Sequence, residues 1–159
     1  MQDSARIDLT SDGPERTCDI ARRLGAVLRS GDTVLMTGDI GAGKTHFARC
    51  LIQSLLTMPE DVPSPTYTLV QIYPGLHGEI WHADLYRLGD PNDVFELGLT
   101  DAFETAICLV EWPDRLGDLA PAGALALEIA PGDEEDTRRL IFTGAFRRWA
   151  ARLKELSDD

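Results

Sequence analysis

The chain has 159 residues, 43% hydrophobic and 26% charged, with 15 basic against 27 acidic side chains and a formal net charge of −12. That length most simply makes one domain with its own core, and no apolar run approaches the roughly 20 residues of a membrane span. The acidic balance repels nucleic acid at long range, so any RNA in this protein's biology is expected to be held by a partner.

The N-terminal stretch MQDSARIDLTSDG lacks both the basic and the apolar part of a signal peptide. Cys18, Cys50 and Cys108 are widely spaced and odd in number, which suggests neither a disulfide framework nor a CxxC zinc site; a reduced, cytoplasmic protein is expected. Over 14–29, Ile20, Leu24, Val27 and Leu28 recur at helical spacing, with Pro14 in the first turn and Gly31 just past the end. DTVLMTG (32–38) reads as a short buried strand and 44–56 as a helix. A loop with Pro59, Pro63 and Pro65 leads to a strand over 66–74, and EIWHADLYRL (79–88) reads as another strand and its exit. PNDVFELGL (91–99) predicts a short helix with Gly98 near its end. Strands follow over 106–111, 125–131 and 138–144, and a helix over 146–156 closes the chain. Strand and helix alternate early and strands crowd later. This predicts an α/β fold with a mixed, partly parallel sheet flanked by helices, in a single domain spanning 1–159. The cations Arg138, Arg139, Arg147, Arg148, Arg152 and Lys154 gather near the end, and a solvated helix is preferred to a docking patch.

Gly38-Asp39-Ile40-Gly41-Ala42-Gly43-Lys44-Thr45 satisfies G-x-x-x-x-G-K-[ST] between a buried strand and a helix, where the mechanism needs it. The glycines permit a tight loop whose N–H groups surround phosphates, and the helix N-terminus adds a favourable dipole. Lys44, one of only two lysines, reaches the β- and γ-phosphates, and Thr45 offers a hydroxyl to Mg²⁺. A nucleoside triphosphate is the expected ligand. No lysine sits in an [NT]-K-x-D guanine reader, so ATP is favoured.

P-loop enzymes place an acidic residue at the end of a neighbouring strand, to hold Mg²⁺ or to order the attacking water. Asp84 ends Ile80-Trp81-His82-Ala83, and Glu111 ends Ile107-Cys108-Leu109-Val110. Asp84 could instead be a cap at a strand exit. Glu111 follows a strand that is apolar throughout, so it is expected to contact Mg²⁺ directly or through water. Ser64-Pro65-Thr66-Tyr67-Thr68 offers hydroxyls as a GTPase switch does, although Ser-Pro-Thr is also an everyday turn.

In order, "GDIGAGKT", "SPTYTLV", "HADLYRL", the following "DP" and "ELG", and "LVEWP" resemble the bacterial TsaE (YjeE) family over about residues 14–115. The resemblance implies a P-loop ATPase that supports N6-threonylcarbamoyladenosine formation at adenosine 37 of tRNA. It implies work with the TsaB and TsaD proteins, tRNA held through that complex, and ATP hydrolysis that resets it between turnovers. It further implies that Thr45 and Glu111 ligate Mg²⁺ and that Thr66 and Asp84 serve the switch and order water. Trp112, of the family's Glu-Trp pair, would lie at the nucleotide; the bare sequence reads it equally well as an aromatic capping the sheet. Thr17 would border the adenine. Two positions depart from the family pattern: His46 replaces a second threonine and is expected to pack or cap on its helix, and Gln71 replaces an acidic residue.

Two other readings compete. A small-molecule P-loop kinase would need an arginine-bearing lid, for which Arg115 and the Arg138-Arg139 pair are thin candidates. A non-hydrolysing nucleotide sensor would need no water-ordering acid, yet Asp84 and Glu111 are present. Arg87 is a candidate for a charge-stabilising arginine in cis, and a partner could supply one in trans.

Overall fold

The computed structural model describes residues 4–39, 42–58, 62, 70–86, 93 and 97–156. The expectations for Ile40, Gly41, Thr66 and Arg87, the first part of the 66–74 strand and most of the 91–99 helix lie outside them.

Seven strands form one mixed sheet: β1 (Ser4–Ser11), β2 (Thr33–Thr37), β3 (Val70–Gly75), β4 (Gly78–Asp84), β5 (Ile107–Glu111), β6 (Leu125–Pro131) and β7 (Arg138–Ala145). Their order across the sheet is β1-β7-β6-β2-β5-β4-β3. The centre is parallel, with β2 between β5 and β6 and with β4 beside β5, while β1, β7 and β3 join antiparallel. The helices are α1 (Pro14–Val27), α2 (Lys44–Leu55), α3 (Leu99–Thr105) and α4 (Phe146–Leu153), with 3₁₀ turns at Pro113–Leu119 and Lys154–Leu156. Among the described residues no helix is long and apolar enough to cross a membrane.

Sequence accounts for which faces are buried. Every residue of β5 is buried, because its side chains alternate between two cores. Ile107 and Leu109 join the larger core with Val34, Met36, Phe47, Leu51, Phe142 and Trp149, under α1, α2 and α4. Cys108 and Val110 join the smaller one with Leu99, Phe103 and Leu116, under α3. β6 buries Leu125, Leu127 and Ile129 but exposes Ala126 and Glu128, as expected where one sheet face meets water. Burying a large side chain such as Phe47 or Phe142 contributes about 1.5–3 kcal/mol.

Three findings correct or extend the sequence reading. First, β1 lies where no strand was expected, although Ala5, Ile7 and Leu9 alternate with more exposed neighbours. Second, α3 lies between the expected helix and the 106–111 strand. Third, Cys18 and Cys50 form a disulfide, where none was expected. They are 32 residues apart, but α1 and α2 pack side by side and bring their Cα atoms to 5.2 Å, within bonding geometry. Cys108 is free and buried, which pushes its thiol up to about 12. The basic tail is partly committed to structure: Arg148 and Arg152 bond the buried Asp32 at 2.7 and 2.5 Å.

Candidate functional site

The site forms where β2, β4 and β5 end on the α2 side of the sheet. The pleat puts Ile80, His82 and Asp84 on one face of β4, and Ile107, Leu109 and Glu111 on the same face of β5. Parallel register sets Met36 and Asp84 on either side of Glu111. The residues that carry chemistry therefore converge under the loop leading into α2.

That loop is built around two glycines. Gly38 has φ +147, and an added Cβ would lie 2.6 Å from the Ile129 carbonyl, so the backbone passes too close for any side chain. Gly43 has φ +110 and caps α2 in the left-handed region, with nothing within 4 Å of where its Cβ would stand. Among the described residues no side chain caps α2, so the N–H groups of its first turn have no such partner, as an anion site requires. The loop closes through Ala42 N donating to Asp39 O at 2.9 Å; Asp39 itself is exposed.

Lys44 is buried. Its ammonium donates to the Gly38 carbonyl and lies 3.9 Å from the centroid of the Trp112 ring. Burial lowers its pKa against the opposing pull of Glu111, Asp84, Asp39 and Asp114. Trp112 holds a left-handed backbone at φ 60, which costs a bulky residue on the order of 1–3 kcal/mol. Tyr86 packs against it at 4.9 Å between ring centroids. Trp112 packs against the smaller core, as the reading of an aromatic capping the sheet expects, and gives a ring face to Lys44.

Thr45 and Glu111 meet directly. The threonine hydroxyl lies 2.9 and 3.1 Å from the two Glu111 oxygens and donates to that carboxylate. Glu111 is buried, and its Oε2 also accepts from His82 Nε2 at 2.7 Å. Asp84 ends β4 half-buried and accepts from Tyr86 N at 3.1 Å, so the strand-exit cap is real; burial raises its pKa and the Glu111 charge adds to that. Thr17 is buried on α1, with its hydroxyl 2.6 Å from that of Ser11 at the end of β1. His46 reaches the Pro14 carbonyl at 3.1 Å, so it ties α2 to α1, and it packs on its own helix 3.8 Å from Cys50 Sγ. Gln71 accepts from the Tyr73 hydroxyl at 2.5 Å.

Sequence reasoning missed two neighbours and named a third, Arg138, only as a thin lid candidate and a tail cation. His82 lies two residues before Asp84, so strand alternation alone puts it on the same face. Tyr86 sits in "DLYRL" without being singled out. Arg138, at the start of β7, donates from Nε to the Ala42 carbonyl at 3.3 Å, a contact made across the chain that no local pattern signals.

Among the described residues no group of three or more His, Cys, Asp or Glu side chains is gathered for a metal ion. Thr45 and Glu111 could still hold Mg²⁺ jointly with phosphate oxygens, since that ion binds through one or two protein oxygens plus phosphates and water.

Parallel strand, glycine loop, helix and a neighbouring strand ending in a carboxylate define a fold of the P-loop NTPase type. A family model described as "Threonylcarbamoyl adenosine biosynthesis protein TsaE" matches residues 11–141. The tRNA threonylcarbamoyladenosine biosynthesis protein TsaE of Rickettsia bellii is 35% identical over 121 residues, 76% of this chain and 84% of the relative. The protein of the same description from Bacillus subtilis is 34% identical over 146 residues, 91% of this chain and 89% of its own. The crystal structure of Bacillus subtilis YdiB matches with a TM-score of 0.75 at 26% identity, covering 98% of this chain and 97% of that one. The chain belongs to the TsaE family, which serves the biosynthesis of threonylcarbamoyladenosine in tRNA.

Proposed function

We propose that this protein is a cytoplasmic, Mg²⁺-dependent ATPase whose turnover resets the TsaB–TsaD complex during N6-threonylcarbamoyladenosine formation at adenosine 37 of tRNA. The contact between the Thr45 hydroxyl and both oxygens of Glu111, beneath the glycine loop, carries this reading. Lys44 and the N–H groups at the start of α2 bind the β- and γ-phosphates, with Gly38 through Gly43 shaping the loop. Thr45 and Glu111 hold Mg²⁺, which when bound neutralises charge on the phosphates. Asp84 orders the water that attacks the γ-phosphorus, and Thr66 senses the γ-phosphate. Trp112 flanks the nucleotide, and Thr17 borders the adenine side. The net charge of −12 fits a protein whose partners hold the tRNA.

The test is phosphate release from ATP by the purified protein, alone and with the TsaB–TsaD pair. Slow turnover that rises with the pair is expected. Turnover indifferent to the pair, with phosphate transferred to a small metabolite, would make it a kinase. Binding without hydrolysis in either condition would make it a sensor.

A further inference from the structure

His82 is wholly buried, and half of its polar capacity is unused. Nε2 meets Glu111 Oε2 at 2.7 Å, while Nδ1 has no hydrogen-bond partner among the described residues. An unmet buried polar atom is costly, and an apolar residue would fill the same place without that cost. The same face of β4 does carry such a residue two positions earlier, in Ile80. Packing alone therefore does not account for a histidine here, whereas the contact with Glu111 does.

Glu111 is gripped from two sides. Thr45 approaches from α2 with its hydroxyl nearest Oε1, and His82 approaches from β4 at Oε2. A carboxylate only accepts, so Nε2 carries a proton and donates it to Glu111. His82 pairs in register with Leu109, two residues before Glu111 on β5, so the ring reaches forward along the strands to the carboxylate. With Oε2 occupied, the carboxylate plane is fixed and Oε1 is directed to the threonine hydroxyl. We infer that His82 is a positioning residue that orients Glu111 for the divalent cation at Thr45. This rests on the reading of Glu111 as a Mg²⁺ ligand. Partners of this kind, behind a metal ligand, typically contribute about 10–100-fold in metal affinity.

Two measurements test it. Long-range ¹H–¹⁵N spectra of the protein without nucleotide or metal would report the tautomer of each of its three histidines. His82 is expected with its proton on Nε2, and Glu111→Gln is expected to move that nitrogen and leave His46 and His77 unchanged. A proton on Nδ1 with none on Nε2, or indifference to Glu111→Gln, would overturn the contact. The second measurement titrates a fluorescent ADP analogue with EDTA and with increasing Mg²⁺. His82→Phe is expected to keep Mg²⁺-free affinity within about twofold and raise the half-saturating Mg²⁺ concentration by about 10–100-fold, with partial rescue in His82→Gln. Unchanged Mg²⁺ dependence, or an equal loss without Mg²⁺, would overturn the positioning role. If His82→Phe does not fold, the comparison of His82→Gln with wild type decides in the same way. If wild type binds the analogue without any Mg²⁺ dependence, the metal reading of Glu111 fails and takes this role with it, while the spectra still decide the contact.

Discussion

Asp84 and Glu111 are register partners at the C-terminal ends of parallel strands β4 and β5, so two carboxylates stand side by side under the glycine loop. Burial raises the Asp84 pKa, and Glu111 adds to the shift against the Tyr86 amide, His82 and Lys44. A carboxyl raised in the native state holds its proton to higher pH than the unfolded chain does. The native state then loses stability as pH climbs from the ordinary carboxylate range through the raised value. Asp84→Asn should thus stabilise the protein at neutral pH by about 0.5–2 kcal/mol, with the gain vanishing below that window. If Asp84 orders the water, the same variant should lose about 10²-fold or more in ATP turnover while keeping nucleotide affinity. Thermal melts across pH and phosphate release separate the two effects; full activity in Asp84→Asn would remove Asp84 from the mechanism.

Lys44 and Glu111 should fail differently. Lys44→Ala removes a charged donor to the phosphates, which is expected to weaken nucleotide binding by about 1.5–3 kcal/mol. Its ammonium is buried with a lowered pKa, so a Lys44→Met protein without nucleotide should melt no lower than wild type. Glu111→Ala should retain binding in the absence of Mg²⁺ and lose hydrolysis. It should also unfold more easily by about 1–3 kcal/mol, because His82 loses its acceptor. Retained turnover in Glu111→Ala would sink the role given to Glu111.

The parts of the site that were legible in the sequence are those fixed by local chain geometry. The strand–loop–helix run around Lys44 and the apolar strand ending at Glu111 each follow from a pattern within about ten residues. What stayed hidden depends on which elements meet. The Cys18–Cys50 bond exists because α1 lies along α2, and the Arg138 contact with Ala42 exists because β7 starts near the loop. β1 is a different case. Ala5, Ile7 and Leu9 alternate as an edge strand should, but Arg6, Asp8 and Thr10 make the segment look like a polar lead-in. His82 was hidden in another way, since it read as one more position in a buried strand until Glu111 appeared beside it.

Asp32 joins α4 to the start of β2. Its carboxylate accepts from Arg148, Arg152 and the Arg29 amide, and it is 2% exposed. Burial alone would raise its pKa, but those donors outweigh it and hold it below the ordinary value. A depressed carboxyl contributes stability above the unfolded pKa, and that contribution is lost as pH falls through the native value. Asp32→Asn leaves two arginines facing a neutral amide and should cost about 3–5 kcal/mol at neutral pH. Urea unfolding at pH 7 and again in the acid range checks this. A penalty that does not shrink in acid would mean the loss is one of shape, not charge.

The Cys18–Cys50 bond gives the last prediction. Three cysteines with one disulfide leave only Cys108 as a free thiol, and Cys108 is buried. Alkylation of the denatured, unreduced protein should add one label by mass, and three after reduction, while the folded unreduced protein should add none. The bond closes a loop between residues 32 apart and clamps the two helices beside the glycine loop. Reduction, or the Cys18→Ser/Cys50→Ser double variant, should therefore lower unfolding free energy by about 2–4 kcal/mol. Cytosolic thiol pools keep most such pairs reduced, so the labelling should be repeated on protein quenched at the moment of cell lysis. Three labels on freshly quenched, unreduced protein would show that α1 and α2 are held by packing alone in the cell. One label would show that the clamp is closed while the protein works.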